Sequence, residues 1–187
     1  MTRTRDVGGH DGLGNRRYER YVAAFDWANR CIDSGYYLEA IAILDSLMWD
    51  DLSSRLQFVT GNAVDLRWNS GKICKALVGE PPSCNGGAEK DQAFREVTRN
   101  IQNWVHRRNE AIHQTSKILR SDKSRYTFAE LLQSHRQDAI DGVKWLQDFD
   151  TLDTRSRESA AKRPVEQQCR ICWYQNQSPR PIRYLAG

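Results

Sequence analysis

Apolar residues recur at steps of three and four through most of this chain, the period of a helix with one face turned to a core. Tyr18, Tyr21, Val22, Phe25, Ala28 and Ile32 mark such a face over 16–33, and Ser34-Gly35 stops it. Tyr37, Ile41, Leu44, Met48, Leu52 and Leu56 mark a second over 36–59. Gly61-Asn62 and Asn69-Ser70-Gly71 read as turns, with a shorter helix over part of 62–78. The run Gly79–Gly87, with two prolines, is a loop. Phe94, Val97, Ile101, Trp104, Val105, Ile112 and Leu119 predict a long helix over 89–119, with room for a bend. Phe128, Leu131, His135, Ala139, Val143, Leu146 and Phe149 predict a last one over 127–150, with Thr127 as its cap. No stretch alternates with period two, and no repeat is present. The expected fold is all-α, an up-and-down bundle of four to five helices.

The ends differ from the middle. Residues 1–15, rich in Gly, Arg and Asp, are expected to be a disordered tail, with the helical domain over 16–150. Residues 151–187, basic and carrying Pro164, Pro179 and Pro181, are expected to be extended, with a short packed piece at Ile171–Tyr174. No apolar run approaches membrane-spanning length and the polar N-terminus does not resemble a signal peptide, so the expectation is a soluble cytoplasmic protein. The five cysteines are an odd number for a disulfide scaffold. Cys169 and Cys172 form a lone C-x-x-C, half of a zinc site, which Cys74 and Cys84 could complete only if the tail folded back.

Charge sharpens the picture. The formal net charge is +4. Residues 1–17 carry +2 and residues 154–187 carry +5, which leaves −3 for the middle. Within that acidic middle, residues 95–125 hold 8 Lys and Arg against 3 acids. A basic island suits a polyanion, although a solvated helix face would look the same. Arg108 lies in this island on the apolar stripe, between Val105 and Ile112. A cation facing a core costs several kcal/mol unless it is paired or reaches a wet cleft, so its position is either functional or that of a snorkelling stem.

Arg108-Asn109-Glu110-Ala111-Ile112-His113 therefore stands out. A histidine moves protons at neutral pH, an arginine forks onto phosphate, and an amide bonds to either. The stretch resembles the R-x4-6-H signature of HEPN domains, and Tyr36–Leu47 is similar to the early core helix of that family, so that the likeness covers roughly 16–150. The resemblance implies a helical bundle that dimerises so that two motifs meet, and a metal-independent endoribonuclease of toxin, phage-defence or RNA-processing systems. On it, Arg108, Asn109 and His113 are the catalytic candidates, and no metal or cofactor is expected. Arg107, Lys117 and Arg120 are the RNA-binding candidates from the basic island. An antitoxin or regulatory partner is implied as well, yet Thr115 stands where toxins neutralised by a nucleotidyltransferase carry a modified Tyr.

Alternatives use the same stretch. Arg99, Asn100 and His106 fit a longer spacing on the same predicted helix, whereas Arg5 and His10 fit only within the Gly-rich tail. On an ideal helix positions 108 and 113 point about 140° apart, so one helix aims them poorly at one phosphate. A bend or a second copy would cure this. Glu110 and His113 form one E-x-x-H without the second that a di-iron bundle needs, and His106, Glu110 and His113 could share a single metal. His135 reads as a hydrogen-bonded core residue. The rival from another class is a non-catalytic helical interaction module, with Trp49, Trp68, Trp104 and Trp145 as core or interface. Proton-transfer residues meeting at a symmetric interface would favour the enzyme; Arg108 buried in an internal ion pair would favour the module.

Overall fold

The computed structural model of the chain describes residues 13–81, 86–114 and 127–161. They form six helices and, among the described residues, no strand: α1 (Leu13–Asp33), α2 (Tyr37–Thr60), α3 (Ser70–Val78), α4 (Gln92–Gln114), α5 (Phe128–Ser134) and α6 (Arg136–Ala161). The helices run up and down. α2 is the central one: it packs on α1, α3 and α6, while α4 lies against α3 and α6. None is long and apolar enough to cross a membrane, among the described residues.

The stripe of α2 is the centre of the core. Tyr37, Ile41, Leu44, Met48, Leu52 and Leu56 are all buried, together with Ile73 and Leu77 of α3, Phe94, Ile101 and Trp104 of α4, and Leu146 and Phe149 of α6. Each such side chain stabilises the fold by about 1.5–3 kcal/mol. α2 is bracketed by glycines with positive φ, Gly35 at 81° and Gly61 at 72°. That region is strained for a side chain bearing Cβ, and Gly61 uses it to donate its N–H to the Gln57 carbonyl and close the helix.

Three boundaries differ from the periodic pattern. Asn69-Ser70-Gly71 is a helix start: the Asn69 side chain accepts from Lys72 N at 2.9 Å, and Ser70 opens α3. The small polar residues that signal a turn also signal an N-cap. The helix expected over 127–150 is two. Thr127 caps α5 with a full capping box to Glu130, and α5 ends at His135, whose N–H bonds back to Leu132 while its carbonyl receives the Ala139 N–H that opens α6. Phe128 is accordingly 58% exposed, not inward. Finally, α6 continues to Ala161, so 151–161 is helix and not extended chain. Its last turns are held by polar contacts to α2: Arg157 donates to Ser54 Oγ at 3.0 Å and pairs with the buried Asp153 at 2.7 Å, and Arg55 donates to Ser156 Oγ at 3.2 Å.

Candidate functional site

α4 meets the bundle along the face its stripe marks, with one slip: in its last described turns the buried residue is Ala111, and Ile112 is 37% exposed. Two polar anchors fix its rotation. Trp104, fully buried, donates its indole N–H to the Asp138 carbonyl at 2.6 Å. Arg107 donates to Asp138 at 2.6 Å and to Asp141 at 2.7 Å. Asp138 also faces His135 Nδ1 at 3.3 Å, so His135 is half-buried and bonded within a network between α4 and α6. Arg107 is thus a clasp between helices, with 41% of its side chain still exposed.

Anchoring Arg107 on the α6 side turns Arg108 towards α2. Its Nη2 pairs with Asp45 Oδ1 at 2.6 Å, with 12% of the Arg and 22% of the Asp side chain exposed. Its Nη1 donates to the side-chain oxygen of Asn109 at 2.6 Å. Its Nε is buried and has no hydrogen-bond partner among the described residues. Asp45 is held in turn by Ser70 Oγ at 2.8 Å, the first residue of α3. The arginine on the apolar stripe is therefore paired inside the bundle and does not snorkel.

Two hollows meet at this guanidinium. One, of about 220 Å³, is lined by Asp45, Ser46, Trp49, Asn69, Ser70 and Arg108. Trp49 is fixed there by its indole N–H, which donates to the Trp68 carbonyl at 2.6 Å. The other, of about 80 Å³, lies between α3 and α4, and Lys75, Gln102, His106, Arg108 and Asn109 line it with Asn69. Arg108 and Asn69 border both, so an arginine fork, an amide and a helix start share one groove, a set suited to a phosphate or another oxyanion.

His113 lines neither hollow; it is exposed in the last turn of α4. Arg108 and Asn109 are together, and the imidazole proposed to work with them is not beside them in the same copy. Of the other register, only His106 borders the groove; Arg99 and Asn100, half-buried, line neither hollow. No group of three or more His, Cys, Asp or Glu that could hold a metal is found among the described residues, which leaves His106, Glu110 and His113 short of a ligand set. Cys74 is enclosed in the core, where burial and the Asp45 charge push its thiol far up and keep it protonated. Cys84, Thr115, Lys117, Leu119, Arg120, Cys169 and Cys172, with the Ile171–Tyr174 piece and the copy at Arg5 and His10, lie outside the described residues.

Asp45, Lys75 and Gln102 border the site without having been singled out in the sequence, where Trp49 was read only as core or interface and Asn69 and Ser70 only as a turn. One signal was available for Asp45. It falls four residues after Ile41 and between Leu44 and Met48, a carboxylate on the margin of an apolar stripe, as Arg108 is a cation on one. Two such violations of opposite sign are a pairing expectation. No family model matches the chain, and neither a curated protein nor a solved structure does.

Proposed function

We propose that this chain is a metal-independent endoribonuclease of the HEPN type, working in the cytoplasm as a homodimer whose two copies of α4 share the catalytic site. One observation supports it above the rest. Arg108, almost enclosed, is held at a groove open to solvent with its Nε unsatisfied, beside Asn109 and five residues before an exposed histidine. In that reading Asp45 and Asn109 fix the guanidinium before substrate arrives. Preorganised charge of this kind stabilises a pentacoordinate phosphate without reorganisation in the transition state. His113 of the second copy transfers a proton, the 2′-oxygen attacks, and the products are a 2′,3′-cyclic phosphate and a 5′-hydroxyl. A toxin or phage-defence role, with an antitoxin or other regulator as partner, belongs to the same proposal and rests on the sequence resemblance alone.

The internal ion pair favours a second reading, as the sequence had set out. With Asp45 on Arg108 the pair is neutral, and α2, α3 and α4 are pinned together at its position. A non-catalytic interaction or RNA-binding module would need nothing more of Arg108. One experiment separates the two. Purified protein is incubated with end-labelled RNA in excess chelator, and binding is followed on the same RNA. Cleavage that Arg108→Ala and His113→Ala both abolish supports the nuclease. Binding without cleavage supports the module.

A further inference from the structure

Cutting RNA with its own 2′-hydroxyl needs two proton transfers, one from O2′ and one to O5′. A single His113 supplies at most one of them. The second group is sought among the remaining histidines. His135 is engaged with Asp138 in the α4–α6 network, on the far side of Arg107. His10 lies outside the described residues. His106 is exposed and borders the groove that also holds Arg108, Asn109, Gln102 and Lys75. We infer that His106 is the second proton-transfer group, facing the same phosphate as the Arg108 and Asn109 of its own chain, while His113 comes from the other copy. This rests on the ribonuclease reading above.

Helical geometry carries the inference. Positions 102, 106, 109 and 113 are spaced by four, three and four, so they form one line along α4. His106 and His113 sit on either side of Asn109, two turns and about 10.5 Å apart along the axis. A two-fold axis crossing α4 between positions 109 and 110 pairs each His106 with the His113 of the second copy. Arg108 and Asn109 then stand about 3 and 4.5 Å along α4 from that pair of imidazoles, between it and the axis. Both sites are then complete, with a clamp and two proton carriers each. The partner's second imidazole, not a bend in α4, answers the poor aim of positions 108 and 113 on one helix. The charged groups that border the groove with His106 are Lys75 from α3 and Arg108 on α4, with Glu110 one helical turn further along; Lys75 is also paired with Glu80 at 3.1 Å. In the balanced step the base takes the O2′ proton, the O2′–P bond forms, the P–O5′ bond breaks, and the acid's proton goes to O5′. No co-reactant is consumed.

The test is a pH–rate profile of RNA cleavage in chelator, for wild type, His106→Ala and His113→Ala. It is repeated on an RNA whose scissile 5′-oxygen is replaced by sulfur, a leaving group that departs without a proton. The wild-type profile should be bell-shaped, each variant should lose about 10²–10⁴-fold and one limb of the bell, and the sulfur substrate should restore one variant and not the other. His106→Ala at the wild-type rate would overturn the inference and leave the two copies of His113 as acid and base. An equal loss at every pH would overturn it too, by showing a structural role. A wild type that does not cut RNA at all fails earlier, and takes the ribonuclease reading with it.

Discussion

At the scale of single residues, Arg108 is where sequence and structure meet. Its place on an apolar stripe announced a cation that had to be paired or functional, and it is paired with Asp45. What the sequence did not reveal is the partner, because a contact between positions 45 and 108 depends on how α2 and α4 are docked, and periodicity fixes only which face each helix buries. Replacing Asp45 by Asn leaves the guanidinium without its carboxylate. We expect a loss of about 1.5–3 kcal/mol in stability, the range for a hydrogen bond to a charged group, read as a lowered urea midpoint with unchanged slope. An unchanged midpoint would mean that the pair holds nothing. Arg108→Lys should recover little of the activity lost in Arg108→Ala, because an ammonium cannot serve Asp45, Asn109 and a phosphate at once as a fork does. Full recovery in a cleavage assay would reduce Arg108 to a point charge.

Among the elements, α2 and α4 were readable and the junctions were not. The α2 stripe is buried as its spacing predicts, since six large side chains outweigh any local preference. Ile112 was misplaced by one position because Ala111, too small to register in the pattern, takes the core side. The break at His135 was invisible for a different reason: Ala139, Leu146 and Phe149 after it are buried at the predicted spacing, whereas α5 before it buries none of its residues. Gly142 shows the same limit. It lies inside α6, where glycine ordinarily costs stability, yet an added Cβ would stand 2.9 Å from Trp104 and 3.0 Å from Leu44. Gly142→Ala should therefore destabilise by about 1–3 kcal/mol, the cost of overpacking, although alanine is the better helix former. A stabilised variant in thermal unfolding would contradict this packing of α6 on α2 and α4. The cap of α5 carries a pH dependence. The Thr127 N–H and hydroxyl hold the Glu130 carboxyl below its ordinary range, so its contribution is present above the unfolded value and is lost as pH falls through the lowered folded one. Protection of the α5 amides, taken relative to their intrinsic exchange rates, should fall on acidification, and Glu130→Gln should remove that pH dependence.

On the scale of the whole molecule, the end of α6 and the charge of the sequence beyond it separate two roles that the sequence had merged at 154–187. Residues 154–161 belong to α6 and are tied to α2, whereas 162–187 carry 5 Lys and Arg against 1 Glu. Removing 162–187 should flatten the salt dependence of RNA binding, because fewer counterions are released. Removing 154–187 should also lower stability, since Ser54 loses the Arg157 contact, Arg55 loses the Ser156 contact and the buried Asp153 loses its pairing with Arg157. An equal salt slope in full-length and shortened protein would deny the tail a part in binding.

Assembly is where the functional account stands or falls, because Arg108 and His113 do not share a hollow in one copy. If each site takes Arg108 from one copy and His113 from the other, a dimer of Arg108→Ala with His113→Ala regains one intact site of two. The decisive measurement is RNA cleavage in excess chelator by each variant alone and by the two after unfolding and refolding together. Each alone should be inert, and random pairing makes half of the dimers mixed, so the mixture should recover about a quarter of the wild-type rate. A mixture that stays inert while wild type cuts would contradict the shared site, and a wild type that does not cut without metal would contradict the nuclease itself.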